Sequence, residues 1–136
     1  MFKMMFLSFI SIVLLNANES KQLALKARIM WSSFECSNYA SGKGDKEEAN
    51  RLFSVGYKEG KTFLDALQSK KIKKEDISTN VPIGLSFKLW GPSSDFVIGR
   101  LYEDLYTQSL YLFKDETGKS ISAKKYNESN CKLIGY

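Results

Sequence analysis

The sequence predicts an all-α protein: a compact four-helix domain with one disulfide joining the first helix to the C-terminal tail. Three observations carry this. Apolar residues recur at the three-and-four spacing of a helix face in three separate stretches. No set of alternating runs large enough to build a sheet accompanies them. The chain has only 2 cysteines, Cys36 and Cys131, one near each end of what remains once a leader is set aside.

The leader is residues 1–17. Lys3 is the only charged side chain before Glu19, and Met4 to Leu15 form a run of twelve almost wholly apolar residues. Leu15-Asn16-Ala17 then places a small residue where a signal peptidase cuts. A membrane-spanning helix needs roughly 20 apolar residues, and this run stops sooner, so a cleaved signal peptide with no remaining transmembrane anchor is expected. Residues 18–136 then form one domain, large enough to bury about two thirds of its extended surface and too small for two cores.

An exported chain folds in an oxidising compartment, so Cys36 and Cys131 are expected to pair. The loop so closed is worth about 4–5 kcal/mol in the chain-entropy model. Metal is not expected, because the sequence contains 0 histidines and two thiolates do not fill a tetrahedral site.

The first helix is expected from about Glu19 to Ala40, with Leu23, Ala27, Met30 and Phe34 on one face. Ser41-Gly42-Lys43-Gly44 ends it. Asp45 and Glu48 have the spacing of a capping box and start a second helix. Along it Ala49, Phe53, Gly56, Gly60, Phe63 and Leu67 repeat at seam spacing. A glycine inside a helix costs about 1 kcal/mol relative to alanine, so Gly56 and Gly60 call for a neighbouring helix at close range. The charged stretch from Gln68 to Asn80 is expected to be a surface connection with at most a turn of helix. A short third helix follows Val81-Pro82. After Gly91-Pro92 a fourth runs from Phe96 to about Phe113, capped by Ser93 or Ser94, with Ile98, Leu101, Leu105 and Leu112 inward. Beyond Thr117-Gly118 a polar tail is expected, and the second and fourth helices should form the centre.

The absence of histidine excludes serine–histidine and cysteine–histidine catalysis, and no phosphate loop, dinucleotide fingerprint or calcium loop is present. No catalytic residue and no cofactor are expected. The net charge of +5 is spread over scattered groups such as Lys70, Lys71, Lys73 and Lys74, which describes a solvated surface. Nucleic acid is not an expected partner.

The most individual stretch is Gly91-Pro92-Ser93-Ser94-Asp95-Phe96-Val97-Ile98-Gly99-Arg100, where a rigid turn precedes helix-start donors. Trp90, Ser93, Asp95 and Arg100 are the candidate binding residues, with an anion on the backbone amides as one ligand. A structural role explains the same residues: a helix junction in which Asp95 favours the helix start, Gly99 permits close packing and Arg100 pairs with Glu103 or Asp104.

In this stretch, and in Phe53-Ser54-Val55-Gly56-Tyr57-Lys58-Glu59-Gly60-Lys61, the chain resembles small uncharacterised exported proteins of Gram-negative bacteria. The resemblance covers most of residues 18–136. It implies a periplasmic home and no assigned activity.

Small size, export, a disulfide and the lack of a catalytic set together favour a binding protein. It would act in the periplasm or outside the cell by contact with another envelope or secreted protein, as inhibitors, immunity factors and envelope accessory proteins do. A helical carrier of a small apolar or anionic ligand is the alternative, resting on 9 Phe, 7 Tyr and 2 Trp. A histidine-free enzyme comes third, and would need a buried carboxylate with a raised pKa.

Overall fold

A computed structural model describes the backbone of residues 3–110 and 116–136 and the side chains of residues 18–110 and 117–136. These residues form six α-helices and a short 3-10 helix, with no strand. The helices are α1 (Lys3–Gly42), α2 (Lys46–Gln68), α3 (Lys74–Asn80), α4 (Ile83–Ser86), α5 (Ser94–Ser109) and α6 (Glu116–Glu128). The 3-10 helix, Cys131–Leu133, closes the chain. The all-helical class and the Cys36–Cys131 disulfide stand as expected, whereas the count of four helices does not.

The helix at the centre is α1 rather than the two expected, and it packs against α2, α3, α5 and α6. Its composition explains this. Ala24, Ala27, Ser33, Ser37 and Ala40 are all buried, and such small side chains let neighbours approach from several directions.

Helix α2 lies antiparallel to α1. Ser37 Oγ donates to the Ala49 carbonyl at 2.8 Å, and Lys26 pairs with Glu59 at 2.5 Å further along. The two glycines sit on this seam. A Cβ added at Gly56 would come within 2.6 Å of the Phe34 ring, and one at Gly60 within 2.5 Å of Met30 Sδ. Both neighbours are wholly buried, so the glycines set how closely the two axes approach.

Asp45 caps α2 by accepting from the Glu48 amide at 3.1 Å. The reciprocal half of the capping box does not form, because the Asp45 amide already donates to the Ala40 carbonyl at 2.9 Å. Glu48 turns instead to Arg51 and to the Tyr126 hydroxyl.

The charged connection after α2 is more ordered than expected. Ile72 is buried, and the Ser20 hydroxyl accepts from the Lys73 amide at 2.9 Å and donates to Asp76 at 2.5 Å. Helix α3 follows. Arg28 donates to the Asn80 and Thr79 carbonyls at 2.6 and 3.0 Å, neutralising the end of that helix where carbonyls lack partners.

Helix α5 buries Val97, Ile98, Leu101 and Leu105 against α1 and α2 and ends at Ser109. The Leu112 and Phe113 expected at its far end lie outside the described residues. The expected polar tail is largely helix α6. Its buried face carries Gly118, Ser122 and Tyr126 and packs on the C-terminal half of α1.

Two buried clusters result. The larger joins Ala27, Met30, Phe34, Phe63 and Leu64 to the inner face of α5. The smaller gathers Ala40, Ala49, Leu52 and Tyr126 around the disulfide, whose Cα atoms stand 5.5 Å apart.

Candidate functional site

The segment joining α4 to α5 is positioned by one buried residue, Leu85, and by its own hydrogen bonds. Leu85 and Ser86 donate their amides to the Pro82 carbonyl at 2.9 and 3.1 Å, which turns the chain once before Gly91-Pro92 redirects it. With Leu85 facing inward, its neighbours face outward. Ile83, Phe87 and Trp90 are 78, 78 and 69 % exposed. Three large apolar side chains within eight residues make this the most conspicuous apolar surface among the described residues.

Arg100 holds the outer side of this corner. It donates through Nη2 to the Lys88 carbonyl and, at 2.8 Å, to the Trp90 carbonyl. Its guanidinium lies 4.1 Å from the centre of the Trp90 ring and 5.6 Å from that of Phe96. The expected pairing with Glu103 or Asp104 is corrected here. Asp104 accepts from Lys88 at 2.6 Å, and Arg100 is drawn to the carbonyls that the turn leaves open. The guanidinium therefore fixes the turn while keeping its charge near the surface.

The four candidate residues do not converge. Trp90 and Arg100 stack. Ser93 is the N-cap of α5 and accepts from the Phe96 amide at 3.2 Å. Asp95 projects to the other side and accepts at Oδ1 from Tyr57 Oη at 2.8 Å and Lys61 Nζ at 3.0 Å. The Tyr57 and Lys61 hydrogen bonds hold the Asp95 carboxyl below the usual carboxylate range, and the same contact raises both Tyr57 and Lys61. All three groups are solvent-exposed. They tie α2 to α5 and leave no anion-binding cradle. Ser94, beside the cap, is buried and donates to Asp65 at 2.6 Å, a further tie between the same helices.

Gly99 also departs from expectation. A Cβ there would meet no heavy atom of the described residues within 4 Å, so none of the described helices packs on it. It faces outward because Ile98 and Leu101 already occupy the inner side of the turn.

A second concentration of polar chemistry lies between α1 and α6, which sequence reasoning did not single out. Burial raises the Glu35 carboxyl, opposed by a hydrogen bond from Trp31 and by the charge of Lys125. Tyr39 is raised by burial and by the neighbouring Glu35. The Asn38 amide and the Ser122 hydroxyl are fully buried and have no hydrogen-bond partner among the described residues. The signal available in the sequence was modest: a carboxylate and an amide on a helix otherwise lined with small residues. Glu35 fits the raised carboxylate expected of a histidine-free enzyme. Among the described residues no cluster of side chains suited to a metal ion is found.

A carried ligand calls for an enclosed space of at least ~300 Å³. A groove of about 230 Å³ lies at the end of α6, lined by Tyr126, Asn127, Asn130, Cys131, Lys132 and Leu133. It is open to solvent and lies along one segment rather than between helices.

No helix among the described residues is long and apolar enough to cross a membrane. No family model, curated protein or solved structure matches this chain.

Proposed function

We propose that this protein acts by binding another protein outside the cytoplasm, in an inhibitory, immunity or envelope accessory role, with the α4–α5 corner as its contact surface. The observation that carries the reading is the exposure of Ile83, Phe87 and Trp90 on a turn pinned by Arg100. A rigid aromatic with an adjacent arginine is the composition of an energetic hot spot, since both bury large areas at low cost in side-chain freedom. The disulfide and the signal-like pattern of residues 1–17 support an extracytoplasmic setting.

The test is photocrosslinking in intact cells. A photoreactive phenylalanine analogue at Phe87 is expected to give a discrete protein adduct that the same analogue at Lys124, on α6, does not give. Trp90→Ser in the Phe87-labelled chain should abolish the adduct. The absence of any protein adduct from Phe87, or equal adducts from both positions, would overturn the reading.

A further inference from the structure

We propose that the turn joining α2 to α3 docks on a membrane surface rich in anionic lipid, with Lys70, Lys71, Lys73 and Lys74 as its contacts. This surface shares no residue with the α4–α5 corner and stands or falls without it.

In the sequence these lysines are a charged run, and the fold gathers them on a single projecting turn. Helix α2 ends in two hydrogen bonds, from the Lys71 amide to the Ala66 carbonyl at 2.9 Å and from the Lys70 amide to the Leu67 carbonyl at 3.1 Å. Lys70 takes the left-handed conformation that such an ending requires, with φ 57°. Ile72 is buried and pins the turn. The four lysine side chains are left exposed around it, and none enters an ion pair among the described residues. Glu75 and Asp76 follow on α3, with Asp76 already engaged by the Ser20 hydroxyl, so the turn keeps a positive excess.

Three of the four stand where the fold alone would choose another residue. The position of Lys70 favours glycine, because a left-handed backbone crowds any side chain. Lys73 is the N-cap of α3 and makes no side-chain cap bond, and Lys74 is the first residue of that helix. Both put a cation at the helix end that repels it, where serine, asparagine or aspartate would stabilise. Repeated conflict between local preference and the residue present is expected of a surface that serves contact rather than stability.

The place of the turn selects a bilayer as the occupant. Ser20 Oγ accepts from the Lys73 amide at 2.9 Å, which fixes the lysines beside the entry of α1 into the domain. The backbone of α1 is helical from Lys3 onward, and the apolar run of residues 4–15 belongs to that same helix. Leu15 and Ser20 are separated by about 7.5 Å of helical rise, inside the Debye length of about 8 Å at physiological salt. A chain whose apolar run occupies a bilayer therefore holds this turn at the headgroups, where a negative surface potential attracts each nearby lysine. After cleavage behind Ala17, the α-amino group of Asn18 adds to the charge at the same end. A soluble polyanion would give no reason for the lysines to lie beside the apolar run.

The experiment is co-sedimentation of the protein, purified as the cell makes it, with vesicles of phosphatidylcholine alone and of phosphatidylcholine mixed equally with phosphatidylglycerol. Partitioning onto the mixed vesicles is expected to exceed that onto the neutral ones roughly tenfold or more, and to fall as salt is raised. Lys70→Gln, Lys71→Gln, Lys73→Gln and Lys74→Gln together should abolish the preference. Lys46→Gln, Lys119→Gln, Lys124→Gln and Lys132→Gln together remove as much charge from exposed positions away from the turn, and should leave most of it. All eight side chains are exposed, so circular dichroism should be unchanged in both variants. Equal partitioning onto the two kinds of vesicle, or none onto the mixed ones, overturns the proposal. An equal loss in the two variants also overturns it, because net charge rather than this turn would then govern binding.

Discussion

Along α1 the packing changes character. Between Ala24 and Phe34 the helix meets α2 and α5 through apolar side chains, with Gly56 and Gly60 bringing the axes together. From Cys36 to the end of α1 it meets α6 and the tail through other means. These are a disulfide and, just past the end of α1, a Lys43 ammonium 4.2 Å from the Tyr126 ring centre, while α2 reaches the same elements through Glu48, which accepts from Arg51 and from Tyr126 Oη, and through Arg51, which donates to the Ile134 carbonyl at 2.7 Å. The first half is held by burial, and the second, with few large apolar residues, by cross-links. A chain of this size can stabilise one apolar core. It attaches further elements most economically with a covalent bond and charge-assisted hydrogen bonds.

The largest expected effect breaks the second half. Replacing both cysteines, Cys36→Ala with Cys131→Ala, should lower the unfolding free energy by about 4 kcal/mol, read from urea denaturation. Amide exchange should quicken first in α6 and the tail, while Phe34 and Leu64 stay protected. A loss below about 1 kcal/mol would mean that α6 is held by packing after all, and the contrast between the halves would dissolve.

Next comes a pair of matched substitutions on the apolar side. Gly56→Ala forces a methyl group against the buried Phe34 ring and should cost about 2 kcal/mol. Gly99→Ala meets no described atom within 4 Å and should stabilise the fold by up to ~1 kcal/mol, measured by thermal unfolding. The opposite signs sharpen the distinction between a glycine that faces a neighbour and one that faces solvent.

The smallest effects are pH-dependent and lie in the second half. Burial raises the Glu35 carboxyl above its ordinary 4.5, so the folded chain holds that proton more tightly than the unfolded chain. Its contribution to stability is present at acid pH and is lost as pH rises through the raised value. Glu48 is lowered, chiefly by the hydrogen bond from Arg51, so its contribution is present above 4.5 and is lost as pH falls through the lowered value. Glu35→Gln should therefore raise the thermal midpoint at about pH 7 and leave it unchanged at about pH 3. Glu48→Gln should lower the midpoint at neutral pH, with the loss shrinking on acidification. Parallel responses from the two variants would contradict these assignments. Tyr126, pushed up to about 12 by burial and by the Glu48 carboxylate, keeps its proton throughout this range.

The same division governs what could be read in the sequence. Helix α2 was legible, including Asp45 as its cap and the seam through Gly56 and Gly60, because apolar periodicity and a turn signal coincide there. Helix α6 was not, because it packs through Gly118 and Ser122, which are buried for their smallness and register as polar in any periodicity. Its one large inward residue, Tyr126, does not make a pattern. At the candidate site, Trp90 and Arg100 come together, since the turn after Gly91 folds the chain back onto α5. Ser93 and Asp95 were grouped with them by proximity in sequence alone. Around a helix start, two residues of separation turn side chains by about 200°, and the cap faces the first turn while Asp95 faces α2. The partners of Arg100 were out of reach for a similar reason. Carboxylates one turn away are visible in a sequence, and backbone carbonyls left open by a turn are not.

The pairing of Cys36 with Cys131 across 95 residues also bears on how the molecule is made. During synthesis the first thiol precedes the second by almost the whole domain, and for that interval it has no possible partner in its own chain. With only 2 cysteines in the sequence, no incorrect intramolecular bridge exists. Oxidative maturation is then a single event requiring an electron acceptor and no isomerase, and its one hazard is capture of the waiting Cys36 by a foreign thiol. Cys36 is 1 % exposed in the finished fold, clustered with Leu52, Tyr126 and Cys131, so docking of α6 and the tail closes that hazard.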